Sequence, residues 1–480
     1  MRNPNARRIL VARTAAGCQC RGVAVTDSVA RGKEARKQVA RSSHREWTPS
    51  PDRRPARDVL AAQDESRVPQ LVPIRYGRML ASPFSFFRGA AAVMAADLGG
   101  RPSPRLEAQL CGDAHLSNFG VFEAPVRRLV FDVNDFDETL RGPFEWDVKR
   151  LAASLAVAGR EQAFAEAERR AATLAAVREY REAMRGFADM GDLEVWYSRL
   201  DVAAFLDRVR PSVKKRRLKE LKKGMAKARN KDSKRALSRL SERVDGRLRI
   251  VSDPPLIVPI EQMIQGEERI ESILRALLSA YRKTLLVDRR MIAARYSYAH
   301  AAHKVVGVGS VGSRAWVILL LGRDDDDPLF LQAKEAQRSV LEPYAAKSPY
   351  AHQGRRVVEG QRMMQAAGDI FLGWVRAKET DGSERDFYVR QLWDGKRSIE
   401  VEAMNAGGFA LYGRVCGWTL ARAHARSADR VAIAAYLGSS TRFDEAVADF
   451  AEAYADQNER DFAEMSAEAK AGRLAVRTGL

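Results

Sequence analysis

Long apolar runs are missing from this sequence. The longest, at residues 151–158 and 316–321, fall far short of the roughly 18–20 residues a bilayer requires. No membrane segment is therefore expected. Cysteine is scarce, at four residues, and offers no disulfide framework, which fits a reducing, cytoplasmic setting. Cys18 and Cys20 have no further Cys or His at ligand spacing, so they read as part of a tail rather than a metal site. The six histidines form no H-E-x-x-H pattern and no G-x-S-x-G elbow occurs, which disfavours zinc catalysis and serine hydrolysis. Repeats and coiled-coil heptads are also absent.

Charge is abundant but unevenly placed. Residues 1–57 hold 14 basic and 4 acidic side chains, and residues 208–249 hold 18 and 4. With a total of +19, the remainder of the chain is mildly acidic. Nucleic-acid binding is accordingly not expected, because its basic residues would cover a folded face. The first strip mixes Arg, Ser and Ala without periodicity and predicts a disordered basic tail over 1–66. The second carries Leu218, Leu221 and Met225 at helical spacing among lysines, predicting an amphipathic basic helix: a solvated face, or a landing site for an anionic ligand.

The chemistry concentrates in two places. Cys111-Gly112-Asp113-Ala114-His115-Leu116-Ser117-Asn118 is followed by two short strands and then Asp135-Phe136-Asp137. Phosphoryl transfer needs an Asp beside the acceptor hydroxyl, an Asn five positions on, and an Asp after a hairpin, because Mg²⁺ takes hard oxygen ligands. Asp113, Asn118 and Asp135 meet that spacing, with Asp137 as a second metal ligand and Asp132 as a fallback. Farther along, Gly307-Val308-Gly309-Ser310-Val311-Gly312 matches G-x-G-x-x-G. A strand-like run at 315–321 follows it instead of a helix, so the loop suits phosphates held between strands rather than a dinucleotide fold. The next strand, 329–335, sets Gln332 and Lys334 on one face. Lys334 is the expected phosphate contact. Glu359, on the helical stretch 358–364, is its expected partner, with Glu335 and Glu342 as alternatives. Arg88, near the start of a helix expected over 84–98, would contact phosphate or brace the acidic loop. Residues 387–392 would supply a backbone edge for an adenine base.

Gly112 to Asn118 resembles the G-D-x-H-x-x-N catalytic loop of the aminoglycoside-phosphotransferase and choline-kinase branch of the kinase-like superfamily, although Cys111 stands where that branch usually has His. In that branch an Asp about twelve residues beyond the D-F motif buttresses the loop, and Asp147 holds that place. Wording at 82–89, 111–120, 134–138 and 358–362 is more closely similar to a bacterial family catalogued as domain of unknown function number 2252. That resemblance covers roughly residues 72–457 and places the chain in the same superfamily.

The glycine loop and lysine follow the catalytic loop here, the reverse of familiar kinases. The expected fold is therefore α+β, two-lobed and protein-kinase-like, with a circular permutation. A helical catalytic lobe over 67–300 would precede a small antiparallel β nucleotide lobe over 301–402, and helices over 403–480 would complete the first lobe. Residues 411–426 would form the helix that lies just ahead of the catalytic loop. The resemblance implies ATP- and Mg²⁺-dependent transfer of phosphate to a hydroxyl of a small-molecule or protein acceptor. The alternatives are nucleotidyl transfer on the same fold, or a non-catalytic nucleotide-binding or scaffold protein.

Overall fold

A computed structural model describes residues 24–125, 127–204, 233–264, 266–378, 382–392 and 397–479. The architecture is mixed α+β, with small antiparallel sheets beside a large helical layer. Strands β1 (Glu107–Leu110), β2 (Phe119–Glu123), β3 (Leu129–Val133) and β4 (Leu140–Pro143) come first; β1 pairs with β4 and β2 with β3, each antiparallel. The helix Phe144–Glu161 follows directly. Its apolar residues surround it, which buries it almost entirely among the helices Glu166–Ala188, Ala406–Ala425 and Arg442–Lys470.

After β5 (Leu200–Asp201) and the hairpin β6 (Ser241–Val244) to β7 (Arg247–Ile250), the chain enters a six-stranded sheet. Its members are β8 (Ile257–Pro259), β9 (Ser297–Lys304), β10 (Ala315–Leu321), β11 (Pro328–Glu335), β12 (Gly373–Lys378) and β13 (Glu384–Gln391), ordered β12-β13-β11-β10-β9-β8. The last strand, β14 (Arg397–Ser398), returns to pair with β2. The boundary expected at 301 thus falls inside β9, and the sheet also recruits β8.

The unbroken apolar run of β10 follows from burial on both faces. Ile318 and Leu320 pack with Leu274, Leu278 and Tyr281 of the helix Glu267–Lys283, whereas Val317 and Leu319 pack with Ala236 and Leu240. On β11, Leu329, Leu331 and Ala333 take the first face. Alternation then puts Gln332 and Lys334 on the other.

Three expectations need correction. Residues 24–66, expected to be disordered, form the helices Val25–Gln38 and Ala56–Asp64 and pack on the C-terminal helices. Their basic side chains bind carbonyls: Arg36 Nε donates to Tyr436 O at 2.9 Å, and Arg36 and Arg41 also reach Ala435 O and Leu437 O. The expected helix over 84–98 breaks at Ala90, giving Pro83–Gly89 and Ala91–Gly99. Of the expected edge 387–392, residues 387–389 lie inside the sheet, paired on both sides by β11 and β12, so their backbone presents no free edge to a base, whereas Arg390 and Gln391 pair with β11 alone. The tail 1–23 and the basic stretch 205–232, including Leu218, Leu221 and Met225, lie outside the described residues. Among the described residues no helix is long and apolar enough to cross a membrane.

Candidate active site

The loop 111–118 is held from behind by one buried carboxylate. Asp147, in the first turn of the helix Phe144–Glu161, accepts the N–H of Cys111 at 2.8 Å and of Gly112 at 3.0 Å. His424 Nε2 lies 3.2 Å from the same carboxylate. Gly112 has φ +83°, and a Cβ there would stand 2.4 Å from Glu138 O, so only glycine lets the loop pass. Asp113 Oδ1 accepts from Arg150 Nε at 2.9 Å. Arg150 is fixed in turn by Phe87 O, at 2.7 Å, and by the Phe87 ring. Asn118 Nδ2 donates to Asp113 O at 2.9 Å, which leaves its amide oxygen for another partner. His115 is buried beside Asp113, and burial pushes its imidazole down to about 4 despite that carboxylate.

The acidic loop leaves β3 and is tied to the catalytic loop by Asn134 N–H, which donates to Asn118 O at 2.8 Å. Asp137 N–H donates to Asp135 Oδ1 at 3.1 Å. Asp137 accepts from Lys334 Nζ and, at 2.8 Å, from Tyr388 OH. Burial alone would lower the Lys334 ammonium; the charges of Asp137 and Asp135 override it and keep the group protonated. Arg390 lies opposite Gln332 on β13, bonds it at 3.0 Å and feels both Asp135 and Asp137. Arg356, inside the helix Gln353–Met364, donates to Thr139 O at 2.6 Å, Asp137 O at 2.8 Å and Gln337 O at 2.7 Å. Glu138 accepts Val340 N–H at 2.8 Å, and burial pushes its carboxyl up to about 7.

The glycine loop connects β9 to β10. Gly307 and Gly312 have φ +70° and +92°, conformations that disfavour any side chain. Three residues ahead of the catalytic loop hold it: Val68 N–H donates to Gly312 O at 2.8 Å, Arg67 to Val311 O at 2.5 Å and Arg78 to Gly307 O at 2.7 Å. Gly307, Gly309 and Ser310 line one cleft together with Asp113, Asn118, Asp135 and Asp137. Ser310 Oγ reaches Asp137 Oδ2 at 3.4 Å, so sequence segments far apart in the chain meet here.

Glu359 is not part of this arrangement. It sits half-buried between Arg355 and Arg362, at 3.9 and 3.6 Å. Neither alternative replaces it: Glu335 pairs with Arg314 and Arg385, and Glu342 accepts Ser348 N–H. Lys334 takes Asp137 Oδ2 instead, and with Tyr388 OH on Oδ1 both carboxylate oxygens of a residue expected to bind metal are engaged. Asp132 is engaged by Arg422 and the N–H of Val133 and Ala366, so it is no fallback ligand. Tyr388, Arg390, Arg356 and Arg150 were not anticipated. Strand alternation over 387–391 could have placed the first two on the Lys334 face; nothing local marks the others.

The family model described as an uncharacterized protein conserved in bacteria (DUF2252) matches residues 67–468. No curated protein and no solved structure matches the chain.

Proposed function

The chain belongs to this family of uncharacterized bacterial proteins, and on that footing we propose that it is an ATP- and Mg²⁺-dependent phosphotransferase acting on a hydroxyl. One observation carries the reading: Asp113, Asn118 and Asp135 line a single cleft with Gly307, Gly309 and Ser310, while Lys334 closes on Asp137 of the same cleft. Phosphoryl transfer asks for positioning and charge neutralisation, which is what these groups supply.

Asp113 would orient the acceptor hydroxyl and take its proton. Its Oδ1 is tied to Arg150, and its Oδ2, 3.5 Å from His115 Nε2, is left for substrate. The amides of the glycine loop would lie over the nucleotide phosphates, with Lys334 reaching them from the floor of β11. Among the described residues no three His, Cys, Asp or Glu side chains cluster as a metal site. The donors present nevertheless suit Mg²⁺, which binds through one or two carboxylates and completes its shell with phosphate oxygens and water. Asp135 and the Asn118 amide oxygen would hold it, and when bound it would neutralise phosphate charge.

A permuted kinase-like fold forms part of the proposal. The helix Ala406–Ala425 ends beside the start of the catalytic loop, where Ser427 Oγ accepts Gln109 N–H at 2.9 Å and His424 meets Asp147. That proximity supports a chain whose last helices once preceded β1.

Calorimetric titration of ATP, with and without Mg²⁺, tests the reading in the intact chain and in Asp135→Ala. We expect Mg²⁺-dependent binding that weakens at least about tenfold in the variant, or about 1.4 kcal/mol. Equal affinity in both would remove Asp135 from the metal site, and no Mg²⁺-ATP affinity in the intact chain would end the phosphotransferase reading. The product's mass then separates transfer of phosphate from transfer of AMP.

A further inference from the structure

The cations around the cleft are nearly all engaged by the protein itself. Lys334 holds Asp137, Arg390 holds Gln332, Arg356 holds three carbonyls, and Arg150 holds Asp113. Arg67 is bound to Val311 O and faces Asp64. Two lining cations, Arg88 and Arg338, make no hydrogen bond or ion pair among the described residues. Arg338 is exposed to solvent. Arg88 differs: it is half-buried, and its Nε is sealed from solvent with no partner. A guanidinium held in the wall of the cleft without a counter-group is destabilising, and an oxyanion in the cleft relieves that by accepting from its terminal nitrogens.

The direction of Arg88 tells which end of the cleft it serves. Its carbonyl lies under the glycine loop, where a Cβ on Gly309 would stand 3.2 Å away. Its charged head feels Asp113, Glu402 and Glu161, all from the helical part, and also acts on His115. None of these carboxylates is an ion-pair partner: Asp113 is bound to Arg150, and Glu161 accepts Phe84 N–H at 3.0 Å. Lys334, by contrast, feels Asp137, Tyr388 and Asp135. The two cations therefore address different ends of one cleft: Lys334 is bound to Asp137 of the acidic loop, whereas Arg88 lines the cleft beside Asp113 and directly follows Phe87, whose carbonyl holds the Arg150 that holds Asp113.

We propose that Arg88 binds an oxyanion of the acceptor, so that the substrate is a hydroxyl compound carrying a phosphate or carboxylate group. The planar fork of arginine gives such a group two parallel hydrogen bonds and thereby fixes its orientation. With that end pinned, the hydroxyl is presented to Asp113, and a neutral alcohol leaves Arg88 unpaired. The inference deepens the phosphotransferase reading and rests on it for the role of Asp113; the oxyanion site itself does not depend on it.

The test uses inorganic phosphate as the probe. Phosphate is titrated calorimetrically into the full chain saturated with Mg²⁺ and a non-hydrolysable ATP analogue, in the unmodified protein, Arg88→Gln and Arg88→Lys, with each variant's thermal unfolding recorded. The expected result is a loss of phosphate affinity of about tenfold or more in Arg88→Gln, a smaller loss in Arg88→Lys, and nucleotide affinity unchanged in both. Phosphate affinity that survives Arg88→Gln, or no phosphate binding by the unmodified chain, overturns the proposal. A matching loss of nucleotide affinity also overturns it, since Arg88 would then be a nucleotide contact. If no nucleotide binds at all, the phosphotransferase reading fails, while Arg88-dependent phosphate binding measured without nucleotide upholds the oxyanion site.

Discussion

Protonating His44 would place a charge between Tyr436 and Phe443, whose rings lie 6.1 and 5.2 Å from its own. Burial, reinforced by Lys149, holds this imidazole well below its usual value of 6.5. The unfolded chain takes up the proton near 6.5 while the folded chain does not, so stability is full above that pH and falls as the pH drops below it. His44→Phe keeps the ring packing, and Tyr436 OH retains Val39 O as a partner at 3.1 Å. The variant should lose less melting temperature than the unmodified protein between about pH 7 and pH 5; parallel pH profiles would refute this. Legibility at this scale depended on locality. Asp113, Asn118 and Asp135 belong to one continuous loop and hairpin, so spacing alone brought them to the same cleft. The partner of Lys334 is chosen across 197 positions, and no local pattern favours Asp137 over Glu359.

Helices approach each other closely where glycines allow it. Gly413 and Gly417 share one face of the helix Ala406–Ala425, and a Cβ on Gly417 would stand 2.1 Å from Ala176 O of the helix Glu166–Ala188. Alanine in a helix is worth about 1 kcal/mol over glycine, whereas crowding a packed interior costs about 1–3 kcal/mol or more. Gly417→Ala should therefore lower the melting temperature, because a backbone carbonyl cannot swing aside. Gly186, near the end of Glu166–Ala188, meets nothing within 4 Å, and Gly186→Ala should raise it. Denaturant titration of both checks the pair, and the same sign in each would contradict the packing described. Strand β10 was readable from sequence because burial on both faces leaves an unbroken apolar run, and β11 because its apolar residues alternate with Gln332 and Lys334. The helices Val25–Gln38 and Ala56–Asp64 were not. Val25–Gln38 docks through Gly32 against Ala432 O and through Arg36 on the last carbonyls of the helix Arg430–Leu437, and a hydrophobic period registers neither.

The molecule as a whole is closed by its two ends. Arg53 bridges Asp97 at 2.7 Å and Asp461 at 2.6 Å, and all three are largely buried. Although the family match starts at residue 67, deleting residues 1–66 would leave both carboxylates without their cation. Removing one member of a buried pair costs about 3–5 kcal/mol, so the shortened chain should melt well below the full one or precipitate. An unchanged unfolding midpoint would show that the segment is dispensable. The union of Asp137 with Lys334 and Tyr388, 197 and 251 positions later, also has a bearing on synthesis. At about 5–20 residues per second, a ribosome releases the acidic turn roughly 10–40 s before its lysine. During that interval the acidic turn of the nascent chain lacks the lysine and tyrosine that later engage it, so the site assembles only late in translation.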